Sequence, residues 1–498
     1  MELPFETCYR AVNSRDARFD GRFVTCVTST MIYCRPSCPA MTPKRTNVRF
    51  LPTPAAAQLA GFRACLRCRP DATPGDPQWS YRSDVAGRAM RLIADGVVDR
   101  DGVAGLAGRI GYTPRHLGRL LATEVGAGPL ALARAQRAQT ARLLIETTAM
   151  GLADIAFAAG FGSVRQFNDT MRETYGRAPS QLRQLRQSDQ VATASTGLGA
   201  VALRLPYRKP LHAAALMEFL AGRTIAGVDE VTGDRYRRGL RLPHGPGRVE
   251  LAIRHGHVDA LLHLADLRDL APAVARCRRL LDLDADPVAV DDVLGRDPAL
   301  ADAVAKEPGV RVAGAVDGFE VAVRAVVGQQ VSVAGARATL ARLVAACAPQ
   351  DTQTTSAQTT SAQTAGGQAE NGEPEGGFPG PEAVADAPDD AFGMPAVRRA
   401  TIRALAAAVA EGRLSLDPGA DRDEAYARLL EIAGIGPWTA QYVSLRALGD
   451  PDVLVATDLG VRRGAGALGI PGDELVRHAE QHWAPWRSYA TVRLWRQR

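Results

Sequence analysis

Residues 430–440 read Leu430-Glu-Ile-Ala-Gly434-Ile-Gly436-Pro-Trp-Thr-Ala440, and this stretch decides the fold of the C-terminal region. It predicts the end of one helix, a Gly-x-Gly hairpin and the start of a second helix. The two glycines let backbone N–H groups approach a DNA phosphate at a helix N-terminus, where the helix dipole favours anions. Hairpins of this kind are often only structural or non-specific DNA-binding elements, so the motif by itself leaves catalysis open.

Asp458 is the second feature of this region. The apolar run 453–456 ends at Thr457-Asp458-Leu459, and the simplest interpretation of Asp458 is a helix N-cap. A carboxylate can also stabilise positive charge that develops during a reaction, or position a water molecule. The residues alone do not separate these two roles.

Four of the eight cysteines form two close pairs near the N-terminus, Cys34 with Cys38 and Cys65 with Cys68. Short loops of this kind can present four thiolates to one zinc ion in a tetrahedral arrangement. The site could be a zinc knuckle that only holds a small domain together. It could also be a methyl acceptor, because zinc keeps thiols deprotonated and the thiolate is the nucleophilic form. Methylation of one sulfur would then lower the negative charge of the site and its repulsion from DNA phosphate.

A degenerate repeat with an offset of 49 residues predicts two helix-turn-helix units. Leu106-Ala107 followed by Gly111-Tyr112 recurs as Ile155-Ala156 followed by Gly160-Phe161. The small Ala permits close helix packing, Gly makes the turn, and we expect the aromatic residue to fill the core. The predicted helices are a connecting helix at 129–147 and two DNA-reading helices at 114–123 and 163–173.

These patterns predict a multidomain α+β fold class. The predicted domains are a small zinc domain at 1–76, an all-α double helix-turn-helix domain at 83–187, an α+β domain at 198–310 and an all-α helix-hairpin-helix domain at 311–498. Segment 350–392 repeats TTSAQ and continues with Gly, Pro and acids. Because such a segment buries little apolar surface, we predict that it is a disordered insert.

Positive charge is concentrated in residues 1–190, which hold 26 Lys and Arg against 16 Asp and Glu. This balance favours a polyanionic partner such as DNA, although a solvated surface would have the same composition. No apolar run reaches the ~18 residues of a membrane span, and the first residues lack a signal-peptide pattern. We therefore expect a cytoplasmic protein that makes no use of a membrane.

The cysteine region resembles the N-terminal domain of the Ada family of adaptive-response proteins. The resemblance lies in Asp20-Gly-Arg-Phe-Val24, Cys34-Arg-Pro-Ser-Cys38, Asn47-Val48 and residues 60–68. It implies one zinc ion, both structural and thiolate-activating, bound by Cys34, Cys38, Cys65 and Cys68. It further implies that Cys34 accepts a methyl group from a DNA methylphosphotriester. Spacing alone does not distinguish Cys34 from the other three cysteines.

Residues 83–187 resemble AraC-type DNA-binding domains. The resemblance is carried by Gly160-Phe161, Phe167 and the closing Tyr175-Gly-Arg-Ala-Pro179. It implies binding to promoter DNA. The side chains on the two reading helices that could reach base edges or phosphates are Arg115, Arg119, Arg165, Gln166 and Asn168. Several of these could instead be ordinary solvated helix residues.

Residues from about 200 to 498 resemble the AlkA family of 3-methyladenine DNA glycosylases II, which belong to the helix-hairpin-helix superfamily. The matching stretches are 328–334, 434–442 and 483–490. The resemblance implies that Asp458 is catalytic and that aromatic side chains stack a flipped base, namely Phe219, Trp438, Tyr442 and Trp495. The alternative is that these aromatics belong to the core. The implied DNA contacts of this half are Gln330, Gly434 and Gly436.

Beside the long insert at 350–392, one residue departs from the AlkA pattern, and two further features bear on the activities that the AlkA and Ada resemblances imply. Gln330 is polar where the family has an apolar wedge that enters the DNA stack. Trp438 occupies the hairpin position of the Lys that bifunctional members use, and no Lys follows Lys306, so we expect a monofunctional, hydrolytic enzyme. The Pro-Cys-His-Arg motif of an O6-methylguanine acceptor is absent from the sequence.

The combined prediction is an alkylation-repair enzyme, a DNA-3-methyladenine glycosylase II fused to a methyl-accepting transcription regulator. Its expected partners are double-stranded and alkylated DNA and RNA polymerase at promoters. We expect a monomer associated with the nucleoid. The alternative is a transcription regulator whose glycosylase-like half is catalytically inactive and only grips DNA.

Overall fold

The computed structural model describes residues 3–70, 84–188, 200–348 and 376–497. By its internal contacts the chain divides into two compact units. Unit 1 comprises Met1–Leu211, Leu242–Gly245 and Ile253–Asp292, and unit 2 comprises His212–Arg241, Pro246–Ala252 and Val293–Arg498. The predicted domain 198–310 therefore contributes to both units. In the described ranges, we find no helix with both the length and the apolar character needed to cross a bilayer.

Unit 1 begins with a small α/β region that contains the cysteine pairs. Its four-stranded sheet has the strand order Val48–Leu51, Val24–Val27, Ile32–Cys34 and Arg63–Ala64. The strand Ile32–Cys34 is antiparallel to Val24–Val27 and parallel to Arg63–Ala64. Phe23 packs with residues of the first helix in a small core. The elements are α1 (Phe5–Asn13), β1 (Val24–Val27), β2 (Ile32–Cys34), β3 (Val48–Leu51), α2 (Pro54–Leu59) and β4 (Arg63–Ala64).

Seven helices follow in unit 1 and form the two predicted helix-turn-helix units. They are α3 (Val85–Ala94), α4 (Val97–Ile110), α5 (Pro114–Val125), α6 (Pro129–Thr147), α7 (Leu152–Ala158), α8 (Val164–Tyr175) and α9 (Pro179–Ser188). The reading helices α5 and α8 and the connecting helix α6 lie where the sequence predicts them. Gly111 and Gly160 both make their turns with φ of 83°, a left-handed conformation that favours glycine.

The aromatic positions of the repeat behave differently from each other. Phe161 is buried at 3% exposure and contacts Phe167 in the core, as predicted. The same prediction is wrong for Tyr112, which is 38% exposed and lies against the ring of His116. Tyr112 carries a hydroxyl that Phe161 lacks. A buried hydroxyl needs a hydrogen-bond partner inside the protein, whereas water provides one at the surface.

The rest of unit 1 comes from the predicted α+β region. Strands β5 (Ala200–Pro206) and β9 (His257–Leu264) pair antiparallel, with Leu203 opposite Ala260. The helix that follows, here named α11 (Leu270–Leu280), supplies Arg276, whose guanidinium lies 3.5 Å from the buried carboxylate of Asp95.

Unit 2 combines a short antiparallel strand pair with a helical body. Strands β6 (Asp229–Thr232) and β7 (Arg235–Leu242) pair antiparallel, while β8 (Gly245–Arg254) and α12 (Pro287–Leu294) supply residues to both units. The helices of unit 2 are α10 (Ala213–Ala221), α13 (Pro298–Lys306), α14 (Gly318–Val327), α15 (Val333–Ala346), α16 (Pro381–Ala385), α17 (Asp389–Phe392), α18 (Ala396–Ala410), α19 (Arg422–Leu430), α20 (Pro437–Arg446), α21 (Leu459–Ala467), α22 (Leu475–His482) and α23 (Arg487–Arg496). The multidomain α+β fold class is confirmed.

The prediction of a disordered insert at 350–392 is wrong for residues 376–392. This part forms α16 and α17 and places Phe378, Val384 and Phe392 in the core of unit 2, each at 2% exposure or less. The prediction of disorder came from the average polar composition of the whole segment, which gave no weight to these three apolar side chains. Residues 350–375 lie outside the described residues.

Replacement of Phe392 by Ala should destabilise unit 2, because it leaves a cavity where a fully buried ring contacts the helical core. Phe-to-Ala changes in cores cost about 3–5 kcal/mol. Thermal unfolding and limited proteolysis of the purified chain would measure the effect. Val397→Ala is the control, because Val397 is 78% exposed. Equal stability of the two variants would contradict the buried position of Phe392.

Candidate functional site

The two cysteine pairs come together because β2 and β4 run side by side. Cys34 ends β2 and Cys65 follows β4, whose backbone is tied to β2 by the Cys65 N–H that donates to the Tyr33 carbonyl at 3.0 Å. All four Sγ atoms, those of Cys34, Cys38, Cys65 and Cys68, lie within 4.8 Å of one another. Cys38 and Cys68 are buried, whereas Cys34 and Cys65 are half-buried.

The donor set fits a zinc ion. Four sulfurs about 2.3 Å from a tetrahedral zinc would lie about 3.8 Å apart, which matches the spacing of this cluster. Hydrogen bonds with Cys65 and Cys68, together with burial, raise the pKa of the Cys34 thiol. The same thiol contacts lower the pKa of Cys65. Thiols this close cannot all ionise without a cation, and bound zinc would supply that charge.

Asp20 holds the loop between Cys34 and Cys38. Its carboxylate accepts hydrogen bonds from the Ser37 backbone N–H at 3.0 Å and from the Ser37 hydroxyl at 2.6 Å, and the Arg35 guanidinium lies 3.5 Å away. Burial raises the pKa of Asp20. Sequence reasoning assigned no role to Asp20, because its contact with Ser37 joins residues that are seventeen positions apart in the sequence.

The predicted DNA-reading side chains lie on the surface of unit 1. Arg115 and Arg119 on α5 and Arg165 and Gln166 on α8 are exposed, and Asn168 is half-buried. The Gln166 carbonyl already accepts from the Gly162 N–H at 3.2 Å, so its side chain also shapes the turn. The structure keeps these side chains available for a partner and does not itself select among them.

The hairpin of unit 2 has the predicted form, with α19 before it and α20 beginning at Pro437. Gly434 has φ of 90°, and a Cβ there would lie 2.2 Å from the Thr401 hydroxyl, so only glycine fits. Gly436 is exposed at the N-terminus of α20. The Gln329 amide donates to the Gly434 carbonyl at 3.1 Å and to the Thr439 hydroxyl at 2.8 Å.

Gln330 lies beside this anchor, in the turn between α14 and α15. It is exposed and adopts a left-handed backbone with φ of 57°, which is uncommon for a residue other than glycine. The anchored Gln329 therefore fixes the turn that presents Gln330 to the surface.

Asp458 is both a helix cap and the acceptor of two indole N–H groups. As the N-cap of α21, its Oδ1 accepts from the Val461 backbone N–H at 3.0 Å. Trp495 Nε1 donates to Oδ1 at 2.9 Å, and Trp438 Nε1 donates to Oδ2 at 3.0 Å. Sequence reasoning treated the cap and a chemical role as alternatives, and the geometry leaves room for both.

Two glycines allow Trp495 to reach this carboxylate. A Cβ at Gly464 would lie 2.1 Å from the Leu494 carbonyl oxygen, so α21 and α23 touch backbone to backbone. A Cβ at Gly460 would lie 3.0 Å from the Trp495 ring. The helices therefore pack closely enough to bring an indole from the C-terminal helix to Asp458.

The predicted pocket aromatics are not core residues. Trp438, Tyr442, Trp495 and Phe219 are all half-buried, whereas Trp483 is fully buried. Trp438 and Tyr442 stack with centroids 5.5 Å apart and an interplanar angle of 15°, and Tyr442 lies 6.2 Å from Trp495. The three rings form a partly exposed aromatic wall next to Asp458.

Two arginines that sequence reasoning missed lie at this wall. The Phe219 ring has the Arg223 guanidinium 3.8 Å from its centroid and the Arg446 guanidinium 4.5 Å away. Arg446 also donates to the Tyr442 hydroxyl at 3.0 Å. Each arginine follows its aromatic partner by four residues in the sequence, which places them on one helix face. That spacing was the available signal.

Three family models match the chain. They are described as "Metal binding domain of Ada" at residues 7–71, "Helix-turn-helix domain" at 106–185 and "AlkA N-terminal domain" at 202–317. The matches cover the cysteine region, both helix-turn-helix units and the strand-containing region.

A relative from Mycobacterium tuberculosis, "Probable bifunctional transcriptional activator/DNA repair enzyme AlkA", is 52% identical over 99% of this chain and 97% of its own length. The chain belongs to the family of AlkA-type bifunctional transcriptional activator/DNA repair enzymes. "DNA-3-methyladenine glycosylase 2" of Escherichia coli is 32% identical to this AlkA-type chain over 58% of it and 95% of the relative. The Escherichia coli "Bifunctional transcriptional activator/DNA repair enzyme Ada" is 34% identical over 35% of the chain and 48% of the relative.

These matches confirm the predicted fusion of Ada-type and AlkA-type parts. Together with the four clustered thiols, the match to the Ada metal-binding domain makes the N-terminal cluster of this AlkA-type protein a zinc-binding site.

Replacement of Cys68 by Ser should abolish zinc binding and unfold the small cysteine domain, because a structural zinc site with three thiolates is strongly weakened. Zinc content by atomic absorption and thermal unfolding would measure both effects. Cys347→Ser is the matched control, because Cys347 lies outside the cluster. Full zinc content in the Cys68 variant would contradict the assignment.

Proposed function

We propose that this chain is a DNA repair glycosylase that hydrolyses the N-glycosidic bond of alkylated bases, with 3-methyladenine as the reference substrate. The observation that carries the proposal is the Asp458 carboxylate, which two indole N–H groups hold beside a partly exposed aromatic wall. The names of the AlkA-type relatives support the same chemistry.

The aromatic side chains, Asp458 and the hairpin each have a separate role in this proposal. A flipped, electron-poor base stacks on Trp438, Tyr442, Trp495 and Phe219. As the bond to the base breaks, positive charge develops on the sugar, and Asp458 stabilises that charge and orients the attacking water. The N–H groups at Gly434 and Gly436 bind a DNA phosphate beside the lesion, and Gln330 contacts the DNA stack.

Two features favour hydrolysis without strand cleavage by a Lys nucleophile. Trp438 occupies the hairpin position where a Schiff-base Lys would be needed, and the sequence has no Lys after Lys306. The product would then be an intact abasic site.

For the N-terminal part, we propose that Cys34 accepts a methyl group from a DNA methylphosphotriester. One zinc ion bound by Cys34, Cys38, Cys65 and Cys68 would keep the sulfur a thiolate. The half-buried position of Cys34 allows DNA access but is shared by Cys65. Loss of one negative charge would strengthen promoter binding by the two helix-turn-helix units through Arg115, Arg119, Arg165, Gln166 and Asn168.

The division into domains at 1–76, 83–187, 198–310 and 311–498 remains part of this proposal. So do RNA polymerase as a promoter partner, a monomeric state and a place at the cytoplasmic nucleoid.

Replacement of Asp458 by Asn should reduce base release from alkylated duplex DNA by about a hundredfold or more. The amide removes the charge and also turns N–H atoms toward one of the two indole donors. Release of free base under single-turnover conditions measures the effect. Binding of abasic DNA and circular dichroism check that the variant is folded.

Asp473→Asn is the matched control, because Asp473 is exposed. It should keep wild-type activity. If the wild-type protein releases no base while it still binds DNA, the alternative of an inactive glycosylase-like half within a transcription regulator replaces the enzymatic proposal.

Incubation of the wild-type protein with DNA that contains methylphosphotriesters should add the mass of one methyl group to the peptide that contains Cys34. Peptide mass spectrometry identifies the modified cysteine. An untreated sample and unmethylated DNA serve as controls. Methyl on Cys65, or on neither residue, would contradict the role of Cys34 and leave a purely structural zinc site.

A further inference from the structure

The hydroxyl of Tyr442 is held in an unusual way. Its oxygen accepts a hydrogen bond from Arg446 Nη1 at 3.0 Å, and the positive charge of Arg223 lies close enough to act on it. Arg446 is itself fixed, because its Nε donates to the Ala313 carbonyl and its Nη2 donates to the Gly314 carbonyl at 3.2 Å. Arg446 is 7% exposed. The phenol oxygen thus lies against a rigid guanidinium group.

The proton of this hydroxyl makes no hydrogen bond to any of the described residues. A guanidinium has only donors, so neither arginine can accept it. Within the part of the chain that the structure describes, the Tyr442 hydroxyl donates to no group. The O–H is therefore free to donate to a ligand, and the ring that carries it stacks on Trp438, whose indole N–H binds Asp458.

Charge around the hydroxyl favours loss of that proton. Arg324 is neutralised by Glu320 at 2.7 Å and Asp229 at 3.3 Å, but Arg223 and Arg446 form no ion pair with a carboxylate among the described residues. Burial alone would raise the pKa of Tyr442, and the guanidiniums of Arg446, Arg223 and Arg324 outweigh it and lower the pKa below its usual value. The same guanidiniums would stabilise a tyrosinate.

We propose that Tyr442 is a further catalytic residue, the general acid that protonates an uncharged damaged base as it leaves. This inference rests on the proposed glycosylase activity. The Tyr442 O–H donates its proton to a ring nitrogen of the base while the bond from C1′ to that base breaks and the base takes the electron pair. Water then bonds to C1′ and gives a proton to Asp458. Solvent returns the proton from Asp458 to the tyrosinate, so the net change is addition of water across the bond.

The role applies to one class of substrate. A purine alkylated on a ring nitrogen is a cation in DNA and leaves as a neutral base, so it needs no proton. An uncharged lesion such as hypoxanthine leaves as an anion unless it is protonated. The two arginines stabilise the negative charge left on the Tyr442 oxygen, so this proton transfer serves uncharged lesions, while cationic bases depend on stacking alone. Arg223 and Arg446 act through Tyr442 and are positioning residues.

The test compares Tyr442→Phe with the wild-type protein on two duplexes, one with a single 7-methylguanine and one with a single hypoxanthine. The Phe variant keeps the stacking ring and removes only the hydroxyl. General acids contribute about 10²–10⁴-fold to rate. We expect single-turnover release of hypoxanthine to fall by about a hundredfold or more, while release of 7-methylguanine changes only by a few-fold.

Tyr426→Phe is the matched control, because Tyr426 packs at the edge of the same core and lies outside the site. Equal loss on both substrates, or no loss on hypoxanthine, would overturn the proposal and leave Tyr442 as a stacking residue. A wild-type protein that releases 7-methylguanine but not hypoxanthine would also overturn it, while the proposed function survives. No release of either base would instead refute the proposed function.

The pH profile separates proton donation from a structural role. Tyr442 must be protonated to act. Wild-type release of hypoxanthine should therefore fall as the pH rises through the lowered pKa of Tyr442, and this fall is the basic limb of the pH profile. Release of 7-methylguanine should lack the limb. The groups that set the limb are Arg446 on α20, Arg223 after α10 and Arg324 on α14. The Phe variant should lose the limb. A limb that persists in the variant would assign it to another group.

Discussion

The Asp458 carboxylate organises the C-terminal half of the molecule. It caps α21 through Oδ1 and binds two indoles that come from the hairpin helix α20 and from the last helix α23. Charge-assisted hydrogen bonds of this kind are stronger than neutral ones, and they fix a single position for the carboxylate. Three elements distant in sequence therefore meet at one anion, and the aromatic wall is assembled by the same contacts.

This arrangement surrounds the carboxylate with hydrogen-bond donors although aromatic rings lie beside it. The indole N–H groups and the N-terminus of α21 replace water as donors to the carboxylate. A carboxylate held this way needs little reorganisation when positive charge develops nearby, which is the condition under which electrostatic stabilisation is most effective.

Local sequence rules predicted much of this structure. Gly434, the cysteine spacing and the repeated Gly111 and Gly160 each depend on a conformation or a ligand geometry that few residues permit. The positions of the two helices proposed to read DNA followed from that repeat, and the family resemblance pointed to Asp458 as a candidate site residue. In each of these cases the information lies within a short stretch of chain or in a known family pattern.

Contacts between residues distant in the sequence were not predicted, and the failed prediction of disorder at 376–392 depends on such contacts. Phe378 and Phe392 are buried although their segment has a polar composition, because burial depends on the partner surface and not on the average of neighbours. Asp20 precedes β1 and Ser37 follows β2, so their contact forms only when these two strands pair. Arg223 and Arg446 follow their aromatic partners by four residues, yet only the folded chain shows that both lie over the same Phe219 ring.

The backbone contact between Gly464 and the Leu494 carbonyl has a consequence for how this protein can change over evolutionary time. Neither residue carries a functional group, yet the separation of their helices determines whether the Trp495 indole reaches its acceptor. Drift at this crossing is therefore constrained as tightly as drift among the chemical groups. Sequences that diverge elsewhere in the last two helices would keep a hydrogen atom as the side chain at this point.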